Sequence, residues 1–326
     1  MLASASECLD ILRCPKTGAP LERIGDKLVA SSIDSDEPLE YPIIDGLPIL
    51  IDFRHSILSE RDVLASAAES VIERPRYRGA SAMVKRLLSP QKPTTRRNVE
   101  MLVQELEQLS DPITVLIVGG GSIGQGMAPL YDHPRLKLFS FDIYRSPLIQ
   151  FVADAHQMPL PSNHFDAVVI QAVLEHVVEP QRVVEEIWRV LKPGGLVYAE
   201  TPFMQQVHEG AYDFTRFTES GHRYLFRDFD AVASGASGGP GLQFMWSADY
   251  LARSLFRSVK AGKVAKLMFF WTQYLDAIIP PDFSVDGASG VFFIGRKSSR
   301  RLEPIELVGH YKGAQRSHSR SHSDGG

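Results

Sequence analysis

The sequence is poor in cysteine, in long apolar runs and in net charge. Its 326 residues include two cysteines, Cys8 and Cys14. Two are too few for a disulfide framework or a four-cysteine metal site, so we expect a reducing compartment. No segment offers the roughly 18 uninterrupted apolar residues of a membrane span. The N-terminus also lacks the basic and apolar regions of a secretory signal. We therefore expect a cytoplasmic chain without a membrane span.

The overall charge limits the kinds of partner that the chain is expected to bind. The formal net charge is −4, which argues against wholesale electrostatic binding of nucleic acid, although a local basic patch remains compatible with it. Hydrophobic residues make up 44% of the chain and charged residues 23%, which is the balance of a globular protein. The length allows one large domain and a smaller one.

Composition divides the chain into four regions. Residues 1–52 hold short apolar runs broken by proline and glycine, and they predict a small strand-rich unit around the Asp45-Gly46 turn. Residues 53–110 look helical and link it to an α/β domain over 111–300. Residues 301–326 are polar and low in complexity, so we expect a disordered tail.

From residue 113 onward, strand and helix patterns alternate, which predicts a parallel sheet covered on both faces. A helix is expected over 179–195, with Gly194 and Gly195 at its end and a buried stripe that includes Trp188. Later in the chain, 242–247 reads as a strand and 249–279 as a helix. The predicted strands of the alternating part, with the closing one, are ITVLIVGG, KLFSFD, FDAVVIQAV, GGLVYAET and VFFIGRKS.

A glycine-rich loop follows the first of these strands. Gly119, Gly121 and Gly124 match G-x-G-x-x-G, in which glycine lets the backbone turn tightly and approach a ligand closely. Asp142 ends the next strand, where a carboxylate can accept hydrogen bonds from ribose hydroxyls. The loop alone fits a nicotinamide dinucleotide or S-adenosylmethionine (SAM) equally well.

The ordered run after the loop distinguishes these cofactors. Asp154-Ala155, then FDAVVIQAVLEHV, EEIWRVLKPGG and LVYAETP, resembles the class I SAM-dependent methyltransferases, particularly the branch with the ubiquinone/menaquinone-biosynthesis enzymes. The resemblance is close over about 115–205 and looser to 298. It implies a Rossmann-like, seven-stranded, mostly parallel sheet with an antiparallel last strand.

The same resemblance assigns ligand roles to individual residues. It implies that Gly119, Gly121 and Gly124 hold the methionine part of SAM and that Asp142 holds the ribose. Ile143 packs on the adenine, Asp154 accepts from its amino group beside the Ala155 backbone, and Gln171 lies near the sulfonium. For Asp154 the alternative is a helix-cap or turn carboxylate. These cofactor-binding residues are Gly119, Gly121, Gly124, Asp142, Ile143, Asp154, Ala155 and Gln171.

The N-terminal segment resembles a small zinc-ribbon-like domain that activates several methyltransferases. The resemblance rests on CPKTGAPL and YPIIDGLPILI and implies a small α+β accessory domain. That family carries two cysteine pairs, because structural zinc takes four ligands. Here Thr17 follows Cys14 at the second position and the later pair is absent. We therefore expect no metal, with Cys14 as a small buried hydrophobe.

Candidate catalytic and substrate residues follow two strand ends. His176 lies in LEHV, and the segment HEGAYDFTRFT resembles a signature of bacterial methyltransferases associated with saccharide and secondary-metabolite clusters. His208 is a candidate general base, and Asp213 could orient it or pair with Arg216. Tyr212 and Arg216 are candidate substrate ligands. The alternatives are a structural His176 and a salt-bridged loop that closes the fold.

Two further segments of the sequence each allow more than one interpretation. The stretch 74–97 has no acidic residue and could bind RNA or a phosphorylated substrate, or form a solvated helix. The apolar side of the helix at 264–279 indicates core or homodimer contact, with a substrate lid or membrane-surface contact as the minor alternative. Its members are Leu267, Phe270, Trp271, Tyr274 and Ile278.

The sequence thus predicts SAM-dependent methyl transfer to a small-molecule or saccharide acceptor, at oxygen rather than nitrogen or carbon. Within the class, the alternative is an RNA or protein methyltransferase. Outside it, the alternatives are a nicotinamide-dependent oxidoreductase and a SAM-binding pseudo-enzyme.

Overall fold

The computed structural model describes residues 1–31, 38–65 and 93–315. Its strands are β1 (Glu22–Ile24), β2 (Lys27–Ala30), β3 (Leu39–Ile44), β4 (Leu47–Leu50), β5 (Ile113–Val118), β6 (Leu136–Asp142), β7 (Phe151–Ala153), β8 (Phe165–Gln171), β9 (Leu191–Pro202), β10 (Phe229–Gly238) and β11 (Gly290–Lys297). Its α-helices are α1 (Ala5–Ile11), α2 (Glu60–Ala65), α3 (Pro93–Leu106), α4 (Ala128–Tyr131), α5 (Pro180–Val190), α6 (Glu219–Leu225), α7 (Pro240–Phe256), α8 (Val259–Met268), α9 (Pro281–Asp286) and α10 (Pro304–His310).

The strands form one sheet in the order β1-β2-β3-β4-β7-β6-β5-β8-β9-β11-β10. From β4 to β9 every neighbouring pair is parallel. The closing strand β11 runs antiparallel to both β9 and β10. The predicted mostly parallel α/β sheet is therefore confirmed, and the chain from Ile113 contributes its central and closing strands.

Burial on both faces explains why the central strands are almost wholly apolar. In β5, Leu116 and Val118 face one core cluster, whereas Val115 and Ile117 face the other. Side chains alternate across a strand, so a continuous apolar run is required where both faces are covered.

The N-terminal segment extends this sheet. The β3–β4 hairpin turns at Asp45 and Gly46, both with positive φ (51° and 81°), as the sequence predicts for a two-residue turn. Ile49 of β4 then pairs with Val152 of β7. Cys14 is buried, with its Sγ 3.2 Å from the Tyr41 hydroxyl. Residues 1–52 thus cover the β7 edge of the parallel sheet, while their standing as a separate accessory domain stays a prediction.

Two predicted elements are wrong in part. The helix α5 ends at Val190, and β9 begins at Leu191, so Gly194 and Gly195 lie inside a strand. Trp188 is not in the buried stripe, because its ring lies under the Lys297 ammonium at the surface. The Gly194–Gly195 pair does not end the helix, because the chain has already joined the sheet at Leu191, which pairs with Phe165.

The segment 242–247, predicted as a strand, lies inside helix α7. The strand is instead β10, whose small residues give a weak apolar pattern but which pairs along β11. The predicted helix over 249–279 divides into the end of α7, then α8, and a 3₁₀ segment, Phe270–Ala277. The core interpretation of its apolar side is wrong, because Leu267, Trp271, Tyr274 and Ile278 are exposed. Homodimer contact through these residues stays a prediction.

The predicted tail is partly structured. Helix α10 begins with a capping box at Glu303, and the His310 ring lies 2.8 Å from Glu219. Residues 316–326 lie outside the described residues, as does most of the basic stretch 74–97, of which α3 contains the last part. Among helices of the described ranges, none is long and apolar enough to cross a membrane.

The junction between the N-terminal segment and the parallel sheet is testable by core truncation. Leu50 is 0% exposed, so Leu50→Ala is expected to lower the free energy of unfolding by about 2–5 kcal/mol, through lost burial and a residual cavity. Ile24, on the outer strand β1, is 58% exposed, so Ile24→Ala should change the free energy of unfolding by less than about 0.5 kcal/mol. Urea denaturation followed by circular dichroism measures both. Equal stability of Leu50→Ala and the parent would contradict the shared core.

Candidate functional site

One large cavity opens at the carboxyl ends of the parallel strands. Its volume is about 630 Å³. The glycine loop and Asp142 line one part, and His176, His208 and Tyr212 line another. Open α/β sheets bind ligands at this edge, and the volume lies in the usual range for small-molecule sites.

The glycine loop is held tightly against neighbouring strands. Gly119 has a φ of +74°, and a Cβ there would lie 2.3 Å from Val173 Cγ2. A Cβ on Gly124 would lie 1.8 Å from Gln171 Oε1. The N–H groups of Gly119 and Gly120 both donate to the Phe141 carbonyl. Side chains at Gly119 and Gly124 would therefore displace the loop or fill the cavity, which is the physical reason for glycine there.

Asp142 is buried at the end of β6 and fastens the loop. Its Oδ2 accepts a hydrogen bond from the Gly121 N–H (2.8 Å), and its Oδ1 accepts from the Ile143 N–H (2.7 Å). Each carboxylate oxygen can accept more than one bond, so ribose hydroxyls can still be received. The half-exposed Ile143 and the buried Ala155 add apolar walls. A backbone cradle, a carboxylate and apolar walls fit a nucleoside cofactor.

Asp154 lines the same cavity but is already engaged. It caps the 3₁₀ turn Ala155–Gln157, accepting from the His156 N–H (2.9 Å), and it also accepts from the Ser56 hydroxyl. Burial raises the pKa of Asp154, but the hydrogen bonds from His156 and Ser56 outweigh it, and the net pKa is lowered. Asp154 therefore acts as a turn carboxylate in the fold, as the alternative interpretation expected, and its contact with adenine stays a prediction.

Gln171 ends β8 beside the glycine loop. Its Nε2 donates to Glu200 Oε2 (2.8 Å), and Thr95 at the start of α3 donates to Glu200 Oε1 (2.6 Å). Glu200 is buried and also receives the Tyr198 hydroxyl. This buried network fixes the Gln171 amide so that its oxygen faces Gly124.

The two candidate histidines meet although they follow different strands. His176 ends the 3₁₀ turn after β8 and His208 lies in the loop after β9, with ring centroids 5.0 Å apart. His176 Nδ1 lies 2.7 Å from the Tyr212 carbonyl, and His208 Nδ1 lies 3.3 Å from the Gln206 carbonyl. Desolvation lowers the pKa of both imidazoles.

Asp213 and Arg216 form a structural clamp. Asp213 accepts from both terminal nitrogens of Arg216 and from the His208 N–H (2.9 Å). Arg216 also donates to the Gln205 carbonyl (2.9 Å). Burial raises the pKa of Asp213, but the Arg216 bonds dominate and lower it to about 2.

Neither member of the clamp lines the cavity. The donors of Arg216 are used within the loop, and its binding of a substrate anion stays a prediction. Asp213 makes both of the contacts considered for it, with Arg216 and with His208, and its catalytic role stays a prediction.

Sequence reasoning missed several residues of the site. Ile57 and Leu58 reach the cavity from the segment before α2, and Tyr144 and Val173 line it beside the glycine loop. Glu175 is buried between the two candidate histidines. Glu175 could have been found from its place beside His176 in the sequence. Only tertiary packing, by contrast, brings Ile57 to the cavity.

Comparison with known proteins gives a family for the central part of the chain. Residues 131–199 match a family described as "Methyltransferase domain". The demethylmenaquinone methyltransferase of Paenarthrobacter aurescens is 39% identical over 29% of this chain and 36% of its own. The enzyme of the same name from Renibacterium salmoninarum is 40% identical over 34% of this chain and 42% of its own. The chain thus spans less than half of these relatives' length.

Among solved structures, the chain is similar to the Haemonchus contortus phosphoethanolamine N-methyltransferase 2 in complex with SAM. It has a TM-score of 0.44 and 15% identity, and the match covers 86% of this chain and 71% of that one. The family match covers β6 to β9, the strands whose ends carry Asp142 and Gln171. With the glycine cradle and the buried carboxylate, this match supports a methyltransferase domain whose cofactor is SAM rather than a nicotinamide.

Proposed function

We propose that this chain transfers a methyl group from SAM to a hydroxyl oxygen of a small molecule or saccharide. The observation that supports it is the continuity of one cavity from the glycine loop and Asp142 to the pair His176 and His208. A donor and an acceptor must lie in one enclosed space for an in-line displacement.

The proposed chemistry divides the cavity into two parts. When bound, SAM supplies an electrophilic methyl group on its sulfonium. The glycine loop and Asp142 hold the donor, while Gln171, fixed by Glu200, lies between the two parts. The apolar walls exclude water, so the acceptor oxygen is the nucleophile available.

The histidine pair is proposed to act at the acceptor oxygen. Carbonyls accept only, so the carbonyls beside both Nδ1 atoms require Nδ1–H tautomers. Each Nε2 then carries a lone pair that can receive the acceptor's proton. We propose His208 as the general base, with His176 beside it. The Tyr212 hydroxyl is a further proposed contact to the substrate.

Two observations bear on the class of acceptor, and they favour different substrates. HEGAYDFTRFT resembles a signature of methyltransferases from saccharide and secondary-metabolite clusters, which favours a sugar hydroxyl. The relatives are named demethylmenaquinone methyltransferase and ubiquinone/menaquinone biosynthesis C-methyltransferase, which favours methylation at carbon. An acceptor screen with labelled SAM should therefore include saccharides and a demethylated quinol. Labelled quinol as the sole product would overturn the oxygen assignment.

The N-terminal segment is proposed to shape the cavity entrance. The β4–β7 pairing brings the chain after β4 over the site, where Ser56 donates to Asp154 and Ile57 and Leu58 line the cavity. This would make residues 1–52 a fused accessory unit that positions the entrance without a metal.

The donor part of the proposal is tested by Asp142→Asn. A hydrogen bond to a charged group contributes about 1.5–3 kcal/mol, so the variant should bind S-adenosylhomocysteine roughly 10–150-fold more weakly. Asp166 is a matched carboxylate whose partners Thr114 and Lys192 lie at the other end of the strands, so Asp166→Asn should keep the parent affinity. Calorimetric titration measures both variants. Parent-like affinity of Asp142→Asn would remove Asp142 from the site.

The acceptor part is tested by His208→Ala. Turnover with the identified acceptor should fall by roughly 10²–10⁴-fold, the usual contribution of a positioned acid or base, while S-adenosylhomocysteine affinity stays near the parent value. His133, which lies beside Glu107 and does not line the cavity, provides the control variant His133→Ala. Unchanged turnover of His208→Ala at saturating acceptor would exclude a role for this side chain in the chemistry.

A further inference from the structure

A carboxylate and two imidazoles converge at the acceptor part of the cavity. Glu175 Oε1 lies 3.5 Å from His176 Nε2 and 3.9 Å from His208 Nε2. Ligand atoms of the three residues all lie within 4.8 Å of one another. Ligands around a transition-metal ion are roughly 3.0–3.5 Å apart at bond lengths near 2.1 Å, so a small inward movement would complete such a site.

The tautomers of both histidines suit a cation. Because each Nδ1–H donates to a backbone carbonyl, each Nε2 lone pair faces the Glu175 carboxylate. Metal-bound histidines characteristically donate their second ring N–H to a carbonyl or carboxylate, which fixes the ring orientation. Two lone pairs beside a carboxylate also repel one another, and a cation between them converts this repulsion into attraction.

The surrounding backbone holds the three ligands in place. The Tyr212 carbonyl receives His176, and the N–H groups of Phe214 and Thr215 donate to the Glu175 carbonyl. Asp213, clamped by Arg216, accepts from the His208 N–H. One segment, 212–216, therefore fixes all three ligand-bearing residues, as a preorganised metal site requires.

We propose that Glu175, His176 and His208 bind a divalent first-row transition cation, such as Zn²⁺, with its open positions toward the cavity. Two imidazole nitrogens and one carboxylate are the donor set of several catalytic zinc sites and of the non-haem iron triad. The side chain of Glu175 is 1% exposed, and those of His176 and His208 are 21% and 26% exposed, which leaves one side open to a ligand.

The role of the cation rests on the proposed function, whereas its binding does not. A cation here would contact the acceptor hydroxyl and lower its pKa, so that its proton would pass to solvent at the open side. The alkoxide oxygen would then form the new bond to the methyl carbon while the sulfur–methyl bond breaks and S-adenosylhomocysteine leaves. In the metal-bound protein the histidines would act as ligands, so the general-base role proposed for His208 would apply only to the metal-free protein. The prediction of no metal from the sequence was based on missing cysteines, which have no part in this site.

The site is tested by zinc titration of the full chain without SAM or acceptor. His318 and His322 near the C-terminus are first replaced by glutamine in every sample, so that they cannot compete for the ion. Calorimetry of chelator-treated protein is expected to show one Zn²⁺ per chain. Glu175→Gln and His208→Gln should each weaken binding by at least about tenfold, because each removes one of three ligands. Cobalt substitution should give visible ligand-field absorption that His208→Gln reduces.

A matched control is His55→Gln, because His55 also lies beside a carboxylate, Asp52, but has no second histidine near it among the described residues. It should bind Zn²⁺ like the parent. If Glu175→Gln fails to fold, His208→Gln decides the question, since His208 lies in a surface loop. Absence of stoichiometric zinc binding, or parent-like affinity of His208→Gln, overturns the proposal. Titration with S-adenosylhomocysteine on the same samples reports separately on the methyltransferase proposal.

Discussion

Parallel pairing of β5 to β9 is the constraint on which the cavity depends. Because these strands run in one direction, their carboxyl ends meet at one edge of the sheet. The glycine loop, Asp142, Asp154, Gln171 and His208 follow different strands and are far apart in sequence, yet all lie near this edge. Their positions follow from strand register, which burial on both faces fixes strongly. A shift in register would move the donor and acceptor parts of the cavity relative to each other.

The Asp213–Arg216 ion pair fixes the acceptor part in the same way. The Asp213 side chain is fully buried, so loss of Arg216 would leave a buried charge without its main partner, at a cost well above that of a surface pair. The pair closes the segment whose backbone contacts His176 and Glu175. A loop after β9 would otherwise be mobile, and the three proposed metal ligands would lose their common support.

Much of the fold could be predicted from local patterns. Continuous apolar runs marked the central strands, and the Asp45-Gly46 turn marked the hairpin, because both signals reflect local burial and backbone conformation. The patterns failed at β10 and at Trp188. Strand β10 is specified by its pairing with β11 rather than by its small side chains, and Trp188 lies on an exposed side of α5 beneath Lys297.

The sequence alone determined the α/β class, a nucleoside-cofactor loop and the residues after each strand end, because strand pattern, glycine spacing and carboxylate position are local signals. The choice of SAM over a nicotinamide came from the resemblance of the run after the loop to a known family. Only tertiary structure decided what these residues do together. It joined residues 1–52 to the sheet, committed Arg216 to Asp213, and placed Glu175 between His176 and His208. The first and last of these arrangements depend on contacts between residues distant in the chain, for which the sequence of one segment carries no signal. The Asp213–Arg216 pair is local, and the sequence left it open as one of two contacts for Asp213.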